Sequence, residues 1–279
     1  MKPWQTPDFK LLLKLAISED LNSGDATTLA LVPDNSTSTA GITAKTPLIV
    51  AGQWVAKAAF EEIDPTLRYV IEVHDGQLTL ENQRIATVSG NTGSILAGER
   101  TALNFLQRMS GIATGAYHFT REISPYSCKI IDTRKTVPGH RQLDKYAVRM
   151  GGAQNHRINL GDGILIKDNH IKACGSVSKA VQKAREHAPH TLKIQIEVTT
   201  LQEASEAVES GADILLLDNM TPEMVEKIVS LYGSKILLEC SGNMSLKNVR
   251  RYAETGVHLI SVGALTHSVA AADISLNFQ

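Results

Sequence analysis

The sequence places basic side chains where an apolar run stops. Ile130-Ile131 gives way to Asp132-Thr133-Arg134-Lys135, and His156-Arg157 and then Lys167 follow. Arginine offers a planar fork that fits a carboxylate or phosphate, and lysine a movable point charge. The whole chain has 28 Lys and Arg against 29 Asp and Glu, a formal net charge of −1. A local gathering of cations in so balanced a chain implies a small, strongly anionic ligand. The balance argues against a nucleic-acid coat or a membrane-surface protein. Glu197 and Asp218 are the acidic counterpart. Two carboxylates facing a phosphate-rich ligand suit a Mg²⁺ ion between them, and strand-end capping or ion pairs with the bases is the other reading. Ser241-Gly242-Asn243 and Ser261-Val262-Gly263 are small-residue loops whose backbone N–H groups either receive a phosphate or close ordinary tight turns.

These residues share a position in a repeating pattern. Short apolar strands are predicted at 129–133, 164–169, 193–198, 214–219, 235–240 and 259–263, and amphipathic helical segments separate most of them. Gly211, Gly233 and Gly256 close three of those helices as C-terminal caps. Apolar strands alternating with helices mean parallel strands covered by helices, and an interval of about twenty residues suits a βα barrel. Six strands make that barrel incomplete. Every strand then ends in polar, charged or small residues: Thr133 to Lys135, Lys167, Glu197, Asp218, Glu239 to Gly242, and Ser261 to Gly263. In such folds these ends converge on one face, so Arg134 and Lys135 belong to the rim of a shared pocket.

Residues 1 to about 105 have a different texture, α+β with a small sheet. A helix is predicted over 7–21 with Asp8 as its N-cap, helices also at 53–63 and 99–123, and strands at 39–52, 68–73, 77–80 and 84–90. His74 to Gln77 forms a turn between two of the strands. Cys128, Cys174 and Cys240 are odd in number and far apart, as in a reducing compartment, and no signal or spanning segment is visible. The cytoplasm is the expected location. There is no Walker loop, no dinucleotide fingerprint and no His/Cys cluster with metal-ligand spacing. His118, His258 and His267 read as packing or surface residues, and His170 as a residue that holds its loop.

The motifs ERTALNFLQRMSGIAT (99–114), DTRKTVPG (132–139), KYAVRMGGAQNHR (145–157), ILIKDNHI (164–171), IEVTTLQEA (196–204), LLLDNM (215–220), LECSGN (238–243) and YAETGVHLISVGALTHSV (252–269) together resemble the nicotinate-nucleotide pyrophosphorylases (carboxylating), or quinolinate phosphoribosyltransferases. The likeness runs from GDATT near residue 24 onward, with Ala153 standing where the pattern has a third glycine. It implies the type II phosphoribosyltransferase fold: an N-terminal α/β sandwich (1–105, joined by the tail 266–279) and an incomplete α/β barrel (106–265). It also implies a homodimer in which Arg100 reaches the neighbouring barrel. The implied reaction joins quinolinate to 5-phosphoribosyl 1-pyrophosphate, with loss of pyrophosphate and CO₂, on the way to NAD.

In that reading Arg100, Arg134, His156, Arg157 and Lys167 take the quinolinate carboxylates. Lys135, Lys167 and a Mg²⁺ near Glu197 and Asp218, bound directly or through substrate or water, stabilise the leaving group. Lys135, Lys167, Glu197 and Asp218 are the catalytic set. Thr133, Glu239, Ser241, Gly242, Ser261, Val262 and Gly263 complete the substrate contacts, and no organic cofactor is called for. Two readings stay open beside it: the molybdenum-transport-associated relative of the same fold, and a ligand-binding homologue without catalysis.

Overall fold

The structure is a computed structural model and describes residues 2–279. The chain forms two compact units. The first comprises residues 2–117, 136–152 and 268–279, and the second 118–135 and 153–267. The expected boundary at 105 thus falls inside the first unit, which also takes a short stretch from the middle of the chain.

The first unit holds an antiparallel sheet in the order β10-β1-β3-β2, made of β1 (Thr37–Ala44), β2 (Arg68–Ile71), β3 (Gln83–Asn91) and β10 (Ile274–Phe278). Its helices are α1 (Pro7–Leu21), α2 (Ala26–Leu31), α3 (Gln53–Ile63), most of the long α4 (Thr92–Glu122), and α5 (Arg141–Met150). The N-cap of α1 is Thr6, not Asp8. The Thr6 hydroxyl accepts the Phe9 N–H at 3.3 Å and Pro7 opens the helix, which leaves Asp8 in the first turn. Residues 77–80 form no strand and contribute a single bridge, Leu78 to Ile49. β10 is tied to α4 by Gln107, whose side-chain Nε2 donates to Ile274 O at 2.8 Å.

The second unit holds six parallel strands in the order β4-β9-β8-β7-β6-β5: β4 (Lys129–Ile131), β5 (Ile164–Ile166), β6 (Ile194–Val198), β7 (Ile214–Asp218), β8 (Leu237–Ser241) and β9 (Leu259–Ser261). The helices between them are α6 (Asp168–Cys174), α7 (Val177–His187), α8 (Leu201–Glu209), α9 (Pro222–Tyr232) and α10 (Val249–Glu254), with a short α11 (Ala264–His267) after β9. Ile196, Val198, Leu215, Leu217, Leu238, Cys240 and Ile260 are buried on one side of the sheet, and the residues between them turn to the other. The ends of both edge strands line one cavity together with the central ones, so the sheet curls. It does not close: β4 and β5 have no pairing to each other among the described residues. The free edge of β4 is instead held by Gln154, which exchanges hydrogen bonds with Ile130 O (2.9 Å) and Asp132 N (3.1 Å).

Gly211 and Gly256 have the left-handed backbone of helix-terminating glycines, at φ +85° and +81°. Gly233 is itself the C-cap of α9, with helical backbone at φ −59°, and its N–H donates to Val229 O.

Candidate active site

A cavity of about 590 Å³ opens at the C-terminal ends of the six strands. Leu165 and Lys167, Glu197, Leu216 and Asp218, Glu239 and Ser241, and Ser261 all line it. Their spacing of two along each strand is the period that sends alternate side chains inward. The parallel register pairs Glu197 with Leu216, which makes Asp218 the next inward residue on the neighbouring strand. Two helix caps hold these carboxylates in place. Thr200 accepts Glu203 N at 3.2 Å at the start of α8, and Thr221 accepts Met224 N at 3.4 Å at the start of α9. Each cap ends its βα turn three residues past the carboxylate, which fixes the strand end that carries it.

The basic wall is built for an anion. Arg134 and Arg157 both line the cavity, and the Nε–H of each is buried without a partner. Arg157 Nη1 donates to Gly163 O at 2.8 Å, which anchors one end of its fork. Burial, followed by the neighbouring Arg134 charge, pulls the Arg157 guanidinium below its ordinary pKa. Two neighbouring guanidinium groups, each with an unmet donor, need a negative group to settle them. Lys167 stands 3.5 Å from Glu197 and is half exposed. His170 Nδ1 accepts the Lys167 N–H at 2.9 Å, so this histidine does hold the loop.

At the opposite corner, Asn219 Nδ2 donates to Asp218 Oδ2 at 2.7 Å, and Asn243 Nδ2 donates to Asn219 Oδ1 at 3.3 Å. Gly242 makes this corner possible. Its φ is +104°, and a Cβ there would lie 2.2 Å from Asn219 Oδ1. A second pocket adjoins, lined by Thr133, Lys135, Ser241, Gly242, Ser261 and Gly263 among others, and His267 lines it too. Oxygen donors from two carboxylates, with no third acidic, His or Cys group clustered around them among the described residues, fit Mg²⁺. That ion takes one or two protein carboxylates and fills its shell with water and substrate phosphate.

The floor is a hydrogen-bonded row. Asp132 is fully buried and accepts Asn155 Nδ2 at 2.7 Å and the His156 backbone N–H at 2.8 Å. His156 Nδ1 accepts the Arg157 N–H at 2.8 Å, Nε2 lies 3.0 Å from Gln195 Oε1, and Gln195 Nε2 donates to Glu239 Oε2 at 2.7 Å. A ring nitrogen that accepts a backbone N–H carries no proton. His156 is therefore the neutral Nε2–H tautomer, not one of the cations that the sequence suggested.

Thr133, Arg134, Lys135, His156, Arg157, Lys167, Glu197, Asp218, Glu239, Ser241, Gly242 and Ser261 thus come together around one cavity, and Gly263 around the adjoining one. Val262 does not join them. It is fully buried, and its N–H donates to Ile131 O at 2.9 Å, so no backbone donor is left there for a phosphate. Arg100 is exposed on α4 in the first unit and lines neither pocket. Gln195 and Asn219 escaped the sequence reading, Asn243 was named only for its loop, and His267, read as a packing or surface residue, lines the adjoining pocket. Gln195 was findable, since it shares the inward face of β6 with Glu197.

The comparisons with known proteins agree along the whole chain. Residues 25–110 match the model of the quinolinate phosphoribosyl transferase N-terminal domain, and residues 112–277 that of its C-terminal domain. A probable nicotinate-nucleotide pyrophosphorylase [carboxylating] of Bacillus subtilis is 41% identical, over 96% of this chain and 92% of its own. The chloroplastic nicotinate-nucleotide pyrophosphorylase [carboxylating] of Arabidopsis thaliana is 40% identical, over 98% and 84%. The solved nicotinate-nucleotide pyrophosphorylase of Francisella tularensis superposes with a TM-score of 0.94 at 39% identity, covering 99% of this chain and 98% of that one.

Proposed function

Because the chain belongs to the quinolinate phosphoribosyltransferase family, we propose that its barrel-end cavity moves the phosphoribosyl group of 5-phosphoribosyl 1-pyrophosphate onto the ring nitrogen of quinolinate. CO₂ is then lost and nicotinate mononucleotide is released, a step of NAD biosynthesis. The observation that supports this best is the pair of buried, unpartnered Nε–H groups on Arg134 and Arg157. Quinolinate carries two adjacent carboxylates, and each would supply the acceptor that one guanidinium lacks.

The remaining residues divide the work. As the bond from C1 of the ribose to pyrophosphate stretches, positive charge grows on the sugar and negative charge on the leaving oxygen. Lys135 and Lys167 stabilise the second. Glu197 and Asp218 hold the ribose hydroxyls and would hold Mg²⁺, which supplies further charge neutralisation to the pyrophosphate. The 5-phosphate goes to the corner of Ser241, Gly242 and Gly263. Once the ring nitrogen bears the ribose it is a cation, and it stabilises the electron pair left at C2 when CO₂ departs. Asp132 acts indirectly, by fixing His156 and Asn155. Mass-spectrometric detection of nicotinate mononucleotide from quinolinate, phosphoribosyl pyrophosphate and Mg²⁺ tests the reaction, and its absence overturns it.

A homodimer located in the cytoplasm accompanies this reading. The three cysteines are free, and no helix among the described residues is long and apolar enough to cross a membrane. Arg100 is exposed, as a residue serving a second subunit must be in one chain alone. Arg100→Ala and Lys167→Ala chains, each nearly inactive, are expected to recover activity when mixed. No recovery after verified subunit exchange removes Arg100 from the shared site.

A further inference from the structure

The floor of the cavity can be read proton by proton. The Arg157 backbone N–H must donate, so His156 Nδ1 accepts and the imidazole proton sits on Nε2. That proton faces Gln195 Oε1, which orients the amide and sends its Nε2–H to Glu239 Oε2. Glu239 therefore receives a neutral donor. His156 Nε2 itself is 3.6 Å from Glu239 Oε2, with the amide bonded to both. Glu239 Oε1 has no partner at all, and the side chain is 2% exposed. A carboxylate there would be a buried charge with no cation in hydrogen-bond contact. A carboxylic acid with its hydrogen on Oε1 leaves no such charge. Burial does push the Glu239 carboxyl above its usual range, against the opposing effects of His156 and of hydrogen bonds from Gln195 and Ser261.

His156, Arg157 and Glu239 also line a lower cavity of about 340 Å³ and so form the waist between the two spaces. Ile131, Ile164, Leu192, Ile214 and Leu259 give that lower space largely apolar walls. The one other acid lining it, Asp162, accepts the Ile158 and Asn159 N–H groups as a carboxylate does. A ring carboxylate drawn onto Arg157 brings the carbon that bears it to this waist.

We propose, on the reaction argued above, that Glu239 is the acid that protonates C2 of the pyridine ring after CO₂ has left. The C2–carboxylate bond breaks and its electron pair stays on C2, beside the cationic ring nitrogen. A C2–H bond then forms with the hydrogen of Glu239 Oε1, and the O–H electrons remain on the Glu239 carboxylate. That carboxylate regains a proton from solvent once the nucleotide departs. The net uptake of one proton matches the exchange of CO₂ for hydrogen.

The test is Glu239→Gln in the full chain, with ring-labelled quinolinate and acid quenching. The amide keeps the shape and can still accept from Gln195, but it has no acidic hydrogen. Turnover is expected to fall roughly 100-fold, the scale of general-acid catalysis. Undecarboxylated quinolinate nucleotide should accumulate, and quinolinate affinity by calorimetry should stay within about threefold. Unchanged turnover overturns the assignment, and so does a loss of affinity that accounts for the whole loss of rate. If Glu239→Gln does not fold, Glu239→Asp is read in the same way. It retains an acid withdrawn by one methylene, and must show a smaller rate loss with the same nucleotide accumulating. CO₂ release by the unaltered chain, measured in parallel, separates the two questions, because its absence overturns the reaction itself.

Discussion

Glu197 and Glu239 face the same cavity from β6 and β8, with β7 between them, yet they live under opposite rules. Glu197 is at the rim, partly open to water, with the Lys167 ammonium 3.5 Å away. Glu239 is on the floor, 2% exposed, and the groups around its carboxyl are the Gln195 amide, the neutral His156 imidazole and the Ser261 hydroxyl. The rim spends charge where solvent and substrate can balance it. The floor arranges neutral donors and acceptors so that no net charge has to be buried. A site that binds a dianion beside a pyrophosphate therefore keeps its fixed charges high in the cavity and its proton low.

Substrate choice probes the rim most severely. Nicotinate lacks the second carboxylate and would leave one buried guanidinium donor unmet. Its kcat/KM is expected to be about 10⁴-fold below that of quinolinate, in parallel assays of nucleotide formation. Comparable rates would end the idea that Arg134 and Arg157 divide two carboxylates. Lys167→Ala comes next. Removing one stabilising charge from the developing pyrophosphate should lower kcat roughly 10²- to 10³-fold. The melting temperature should barely move, because the Lys167 side chain is half exposed. A large drop in melting temperature would recast Lys167 as a structural partner of Glu197. A smaller effect is expected of Arg134→Lys, which keeps the charge and loses the fork. Quinolinate binding by calorimetry should weaken about tenfold, and unchanged affinity would take Arg134 out of the carboxylate site.

The floor is probed by stability. Burial raises the Glu239 carboxyl above its ordinary pKa of 4.5 in the folded state, so just above that pH it releases a proton on unfolding. The unfolded chain then binds fewer protons, so this residue lowers stability as pH rises from 4.5 toward its raised folded value, at up to roughly 1.4 kcal/mol per pH unit. The groups that face it, Gln195 on β6, His156 on the loop after α5 and Ser261 on β9, add no fixed positive charge to reverse the sign. Denaturant melts of Glu239→Gln and the unaltered chain should converge below pH 4 and separate in favour of the variant as pH rises. Separation in the opposite sense would mean a floor carboxylate held by a protonated His156.

The same contrast explains what the sequence disclosed. Rim residues were legible because they stand at strand ends that recur with the βα repeat, and polarity at six such ends in succession has few other meanings. The six-stranded open barrel was legible for the same reason. The floor was less so. Glu239 could be named from its position, but its state depends on Gln195, which sits inside the run KIQIEV, and on one backbone N–H that decides a tautomer. Asn219 and Asn243 have left-handed backbone, at φ +53° and +48°, which no local pattern announced. The loop of Val262 read equally as a phosphate receiver or a tight turn, and the hydrogen bond from its N–H to Ile131 O removes it as a donor. Asp8 lost the cap to Thr6 by two residues, where Pro7 fixed the start of the helix.

The pairing of β1 with β10 has a consequence in time. Ala40 lies opposite Phe278 and Ala44 opposite Ile274, and every strand of the parallel sheet is encoded between them. On the ribosome, all six barrel strands emerge while β1 still has one edge uncovered. The unit that carries the cavity can be assembled first, and the antiparallel sheet waits for the last of the ten strands to be made.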